Sequence, residues 1–188
     1  MRAASLLASV VSAAALWACG ADRGSPTGPA APSPAVSSTF RLTSSAVADS
    51  GTLPADYTCD GIGVSVPLAW ENAPLGTREY AVLMSTLPGD GTTKWNWVLY
   101  AIPASVTALP RNSTGIGTLG VGSDGPQAAY QPPCSQGPGA KIYTFTVYAL
   151  SATPLLAAGR IDGATLTGAI APVTLGSAKL SVSYTRPR

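Results

Sequence analysis

Residues 95–102 read Trp-Asn-Trp-Val-Leu-Tyr-Ala-Ile, and the reading of this run decides the fold. Strand alternation sets Trp95, Trp97, Leu99 and Ala101 on one face and Asn96, Val98, Tyr100 and Ile102 on the other. Both faces are largely apolar, which predicts a central strand covered on both sides. Outward from it, residues 80–86 form a second β-compatible run. Tyr143, Phe145 and Val147 alternate with threonines, and Leu180, Val182 and Tyr184 repeat the pattern near the C-terminus, as half-buried strands do. Proline and glycine punctuate the intervals between these runs. The short helices are expected at residues 154–158 and 162–170. The whole predicts a mainly β domain over residues 40–188.

The N-terminal part reads differently. Arg2 precedes an apolar stretch from Leu6 to Leu16, and Leu16-Trp17-Ala18-Cys19 follows. The stretch is short of the roughly 20 residues that span a bilayer but matches a secretory apolar region of about 7 to 15. Leu, a permissive residue, a small residue and Cys is the order of a lipoprotein cleavage site, so residues 1–18 are expected to be a signal peptide and Cys19 the lipidated residue. The alternative is an ordinary secretory leader that takes Cys19 with it. Residues 19–39 carry Pro26, Pro29, Pro32 and Pro34 among Gly, Ala, Ser and Thr, the composition of a disordered tether. The expected location is a bacterial cell envelope, with the chain lipid-anchored rather than membrane-spanning. In a Gram-negative cell, Gly20 after the anchor points to the outer membrane.

Composition narrows the function. Charged residues are 11% of the chain, against roughly 25% in an average soluble protein. With 11 basic and 9 acidic residues there is no nucleic-acid footprint. The chain contains no histidine, which removes the commonest general base and the commonest metal ligand. There is no Gly-x-Ser-x-Gly elbow either, so binding is expected rather than catalysis, with no cofactor and no metal.

Of the three cysteines, Cys19 is assigned to lipid, which leaves Cys59 and Cys134. In an exported chain such a pair oxidises by default. A nucleophilic or metal-binding thiol is the alternative, but it would have no histidine partner. Cys134 lies in a glycine- and proline-rich segment, residues 111–139, far longer than the usual connection of about 4 to 6 residues and so a candidate site-bearing loop.

Several blocks in order then carry a family resemblance. Tyr57-Thr-Cys-Asp-Gly61, Pro67-Leu-Ala-Trp70, Trp95-Asn-Trp-Val98 with Ile102-Pro-Ala104, Tyr130-x-Pro-Pro-Cys134 and Tyr143-Thr-Phe-Thr-Val-Tyr-Ala-Leu150 resemble the phosphatidylethanolamine-binding protein family, most closely its bacterial Raf-kinase-inhibitor-like branch. The resemblance covers residues 40–186. It implies a compact domain with a central antiparallel sheet, a second small sheet and short peripheral helices. It also implies an anion-sized pocket for phosphate-like head groups, lined by an Asp-Pro-Asp motif, a Trp-His-Trp histidine and a His-Arg-Tyr motif.

This sequence departs from that pattern. Thr86-Leu-Pro-Gly-Asp90 replaces the paired aspartates, Asn96 stands for the histidine, and Lys141-Ile142-Tyr143 stands for His-Arg-Tyr. The donors that remain are Asn96, Tyr130, Lys141, Tyr143 and the backbone around Gly137 and Gly139, with Asp60 and Asp90 as polar rim residues. Lys141 reads equally as a solvated surface charge, and Asp60 as a turn former beside glycine. The expected ligand is a small anionic or phospholipid-head-group molecule, the membrane is contacted through the anchor, and an envelope protein is the alternative partner. On that alternative the domain is an interaction or inhibitor module with no small-molecule ligand.

Overall fold

The computed structural model describes residues 39–136 and 139–187. The expected signal peptide, Cys19, the tether up to residue 38, and Gly137 lie outside the described residues.

Two antiparallel sheets form the domain. The smaller has the order β1 (Arg41–Thr43), β2 (Leu68–Glu71), β5 (Ala108–Leu109). The larger runs β6 (Thr118–Leu119), β4 (Lys94–Pro103), β3 (Glu79–Thr86), β7 (Lys141–Leu150), β8 (Thr174–Tyr184). Between the sheets lies the main core, which includes Leu42, Trp70, Val82, Trp97, Leu99, Phe145, Val147, Leu180 and Val182. On the other face of the larger sheet, Ala81, Leu83, Val98 and Leu150 pack with Leu166 and Ile170 of helix α1 (Gly163–Ile170). The run at 95–102 is thus covered on both sides. The middle strand of its sheet is β3, whose neighbours are β4 and β7.

Helix α1 begins where residue chemistry predicts. Asp162 is its N-cap and accepts a hydrogen bond from the Thr165 N–H (2.8 Å), which satisfies one of the orphan donors of the first turn. Those hydrogen bonds hold the Asp162 carboxyl below its ordinary pKa. Gly163 follows because the Trp95 ring lies where its Cβ would stand. Residues 154–158, expected to be helical, are not. Leu155 is 96% exposed, so the stretch has little apolar anchorage for a helix.

The strict alternation expected along 95–102 fails at two places. Trp95 packs on the helix side, whereas Trp97 and Leu99 face the small sheet. Ser85 pairs with Trp95 and Met84 with Trp97, so Asn96 is an extra residue in β4. A second irregularity falls where Tyr80 pairs with Ile102 and Val82 with Leu99. Ala101 there has φ 55°, and Ile102 joins Leu99 in the inter-sheet core. Each β-bulge adds one residue and reverses which face the following side chains take.

The glycine-rich segment is not a free loop. It contributes β6, and beyond it Gly120, Ser123 and Gln131 donate backbone hydrogen bonds to Val98, Trp95 and Asn96 (2.8, 2.8 and 2.7 Å). The segment covers the open edge of β4.

Candidate functional site

The register of the larger sheet assembles one end of the domain. Thr86 at the end of β3 pairs with Lys94 on one side and Tyr143 on the other, so β3, β4 and β7 all deliver side chains there. A cavity of about 470 Å³ opens at this end. Its walls are Thr86 with the turn at Pro88–Asp90, Lys94 and Asn96 of β4, Lys141 and Tyr143 of β7, and Asp124 and Cys134–Gln136 from the glycine-rich segment.

Cys134 is held there by a disulfide to Cys59, with Cα atoms 5.2 Å apart. The Cys59 N–H also donates to the Pro133 carbonyl (3.1 Å). The wall carrying Ser135 is therefore fixed twice to the turn at residues 57–61.

Two lysines and two aspartates line the cavity, and among the described residues none of the four is in an ion pair. The Tyr143 phenol titrates above its ordinary value, first because it is buried and then because Asp124 and Tyr184 are near. It stays a neutral O–H donor at physiological pH. Asn96 is buried, and its Nδ2 donates to the Gln131 carbonyl (3.1 Å). The Asn96 Oδ1 and the Ser135 Oγ are buried with no hydrogen-bond partner.

Of the residues singled out in the sequence, Asn96, Lys141, Tyr143, Cys134 and Asp90 meet at this cavity. Tyr130 and Asp60 do not line it. Tyr130 stands behind the wall, edge-on to Trp97 (centroids 5.6 Å apart), and its hydroxyl donates to the Tyr57 carbonyl (2.8 Å). Burial pushes its phenol above the ordinary range, which keeps the hydroxyl a donor. Asp60 accepts from the Tyr184 hydroxyl and from Arg186 Nε (2.9 Å), which latches the C-terminal strand to the disulfide turn. Ser135 lies in the 132–139 loop expected to help build the pocket, and Asp124 in the wider 111–139 segment singled out as site-bearing, though neither was foreseen individually; Lys94 was not foreseen as a site residue.

The Asp60 latch predicts a pH effect. The Tyr184 hydrogen bond, then Arg186 against some opposing burial, lowers its pKa in the folded chain. Stability from this group is present above the ordinary carboxylate range and is lost as pH falls through the lowered folded value. Thermal melts of the native chain and Asp60→Asn are expected to differ at neutral pH and to converge below about pH 4. A gap that persists unchanged at low pH would remove the carboxylate from this role.

Comparison with known proteins follows the same outline. A family model described as phosphatidylethanolamine-binding protein matches residues 43–185. A UPF0098 protein of Methanothermobacter thermautotrophicus is 32% identical over 152 residues, covering 78% of this chain and 99% of that protein. A Mycobacterium tuberculosis protein named "Putative lipoprotein LppC" is 29% identical over 134 residues, 71% of this chain and 66% of the other. The crystal structure of Escherichia coli YbcL, described as a new member of the mammalian PEBP family, superposes with TM-score 0.71 at 23% identity, covering 79% of this chain and 99% of YbcL. That likeness is one of fold.

Proposed function

This chain belongs to the phosphatidylethanolamine-binding protein family, and from that premise we propose that it binds a small phosphate-like ligand, of the phospholipid-head-group class, in the cavity at the Thr86 end of its larger sheet. The observation that carries the reading is the convergence of Lys94, Lys141 and the Tyr143 hydroxyl on one cavity of about 470 Å³. That size lies within the usual range of ligand sites, about 300 to 1,000 Å³. Ammonium groups and a phenol make charge-assisted hydrogen bonds to an oxyanion. Asp90 and Asp124 balance the lysines, which suits a head group bearing a phosphate and an ammonium together better than a bare polyanion. Binding rather than catalysis is the reading we draw, as the chain lacks histidine, the commonest general base.

Titrating the purified chain with phosphate and phosphoethanolamine, followed by tryptophan fluorescence, tests this. Lys141→Ala is expected to weaken binding by roughly ten- to a hundredfold, since a hydrogen bond to a charged group contributes about 1.5 to 3 kcal/mol. Flat curves at millimolar ligand would end the proposal.

We also infer that the domain is carried on an envelope membrane by a lipidated Cys19. The leader pattern and the similarity to a protein named as a lipoprotein support this. Among the described residues no helix is long and apolar enough to cross a membrane. Thr39, the first described residue, accepts from Asn72 Nδ2 (3.4 Å), and Phe40 lies by Gly176 near the start of β8. The cavity is at the Tyr184 end of that strand, about 26 Å away at roughly 3.3 Å per residue. Intact mass spectrometry reads the outcome directly: added acyl mass at Cys19 supports the anchor, and a chain without it refutes it.

A further inference from the structure

We propose that the cavity selects anions that carry their own hydrogen-bond donor, hydrogen phosphate over sulfate, and that Asn96 is the residue that makes the choice. The proposal rests on the reading of this cavity as an anion site and deepens it.

Asn96 is 4% exposed, and Ser135 on the opposite segment is 5% exposed. Both residues line the cavity, and the Asn96 Oδ1 and the Ser135 Oγ are buried with no hydrogen-bond partner. The two oxygens differ in kind. A hydroxyl can donate or accept, so Ser135 suits any oxyanion. The Asn96 amide is oriented: its Nδ2 donates to the Gln131 backbone carbonyl (3.1 Å), and that residue is itself fixed, its backbone N–H donating to the Asn96 backbone carbonyl (2.7 Å). Turning the amide over would bring two acceptors face to face. Its free atom is therefore an acceptor only.

An acceptor buried beside an anion site is a filter. A ligand oxygen that bears no proton meets the Asn96 Oδ1 as a second acceptor, and the buried group stays unsatisfied, at a cost that corresponds to about tenfold or more in affinity. A ligand with a P–O–H or an ammonium N–H satisfies it. Asp90 and Asp124 at the same cavity reinforce the preference, because they too accept and do not donate, while Lys94 and Lys141 attract both kinds of anion alike.

Near pH 8 hydrogen phosphate and sulfate are tetrahedral dianions of similar size, and only phosphate keeps an O–H. Calorimetric titration of the full chain at matched ionic strength is expected to show phosphate binding about tenfold or more tighter than sulfate. Asn96→Leu is expected to bring the two within about twofold, with circular dichroism checking that it folds. Ser135→Ala is expected to weaken both anions together and leave their ratio standing, which keeps the test decisive if the Asn96 variant does not fold. Phosphoethanolamine against phosphocholine separates the sources: a similar preference for the former assigns the donor to a head-group ammonium, and equal binding assigns it to free phosphate. Equal binding of phosphate and sulfate by the native chain overturns the selectivity while leaving the anion site in place. No binding of any of the four overturns both.

Discussion

Replacing Cys59 and Cys134 together with alanine is expected to destabilise the domain by about 4 kcal/mol, and to lower its melting temperature by roughly 10 °C. The bond spans a sequence separation of 75, so without it the unfolded chain regains the freedom of a long loop. Few native contacts replace it, because the Pro132–Gln136 stretch belongs to no strand and is held to the turn at 57–61 by the disulfide and the Cys59–Pro133 hydrogen bond. The same change loosens the wall that carries Ser135, so phosphate affinity is expected to fall together with stability. Urea denaturation of the native and doubly substituted chains measures the first effect and titration of both measures the second. A loss below about 1 kcal/mol would show that the segment is positioned by its backbone contacts alone.

The double role of this cystine was partly legible. The pairing followed from counting thiols in an exported chain, and the alternating runs gave the positions of β3, β4, β7 and β8. The short helix expected at 162–170 is found as α1, Gly163–Ile170, whereas the one expected at 154–158 is not. What alternation does not encode is an inserted residue. Nothing in Trp-Asn-Trp distinguishes a regular strand from one in which Asn96 is extra, since the bulge is set by how β3 pairs with β4 across the sheet. Yet that bulge separates Trp95 from Trp97 and sets Asn96 at the cavity. Ala101 likewise takes a positive φ with no glycine or asparagine to announce it.

The site was legible where strands build it and obscure where loops do. Asn96, Lys141 and Tyr143 stand on β4 and β7, and register alone brings them together. Ser135 and Asp124 arrive from the segment after β6, whose path depends on backbone bonds to β4 that composition does not reveal. Tyr130, expected at the pocket from the family resemblance, and Asp60, expected at its rim, do not line the cavity: the Tyr130 hydroxyl donates to the Tyr57 carbonyl, and the Asp60 carboxylate accepts from Tyr184.

Trp97→Ala is expected to cost about 3 to 5 kcal/mol, the range for truncating a large buried aromatic. Trp97 is 1% exposed, sits in the inter-sheet core, and meets the Tyr130 ring edge-on at 87°. Its loss leaves a cavity that the stiff strands β3, β4 and β7 cannot close by collapsing. It also removes the surface against which Tyr130 is held, and with it the geometry of the Tyr130–Tyr57 hydrogen bond that ties the glycine-rich segment to the disulfide turn. Tyr130→Phe alone is expected to cost about 1 kcal/mol, the ordinary value of such a bond. If the tryptophan positions that bond, the double substitution costs less than the two single losses added, by about 0.5 kcal/mol or more. Urea denaturation of the four chains measures the difference. Strict additivity would mean that the core and the cavity wall are independent, and that the segment carrying Ser135 owes its place to the disulfide rather than to the packing of Trp97.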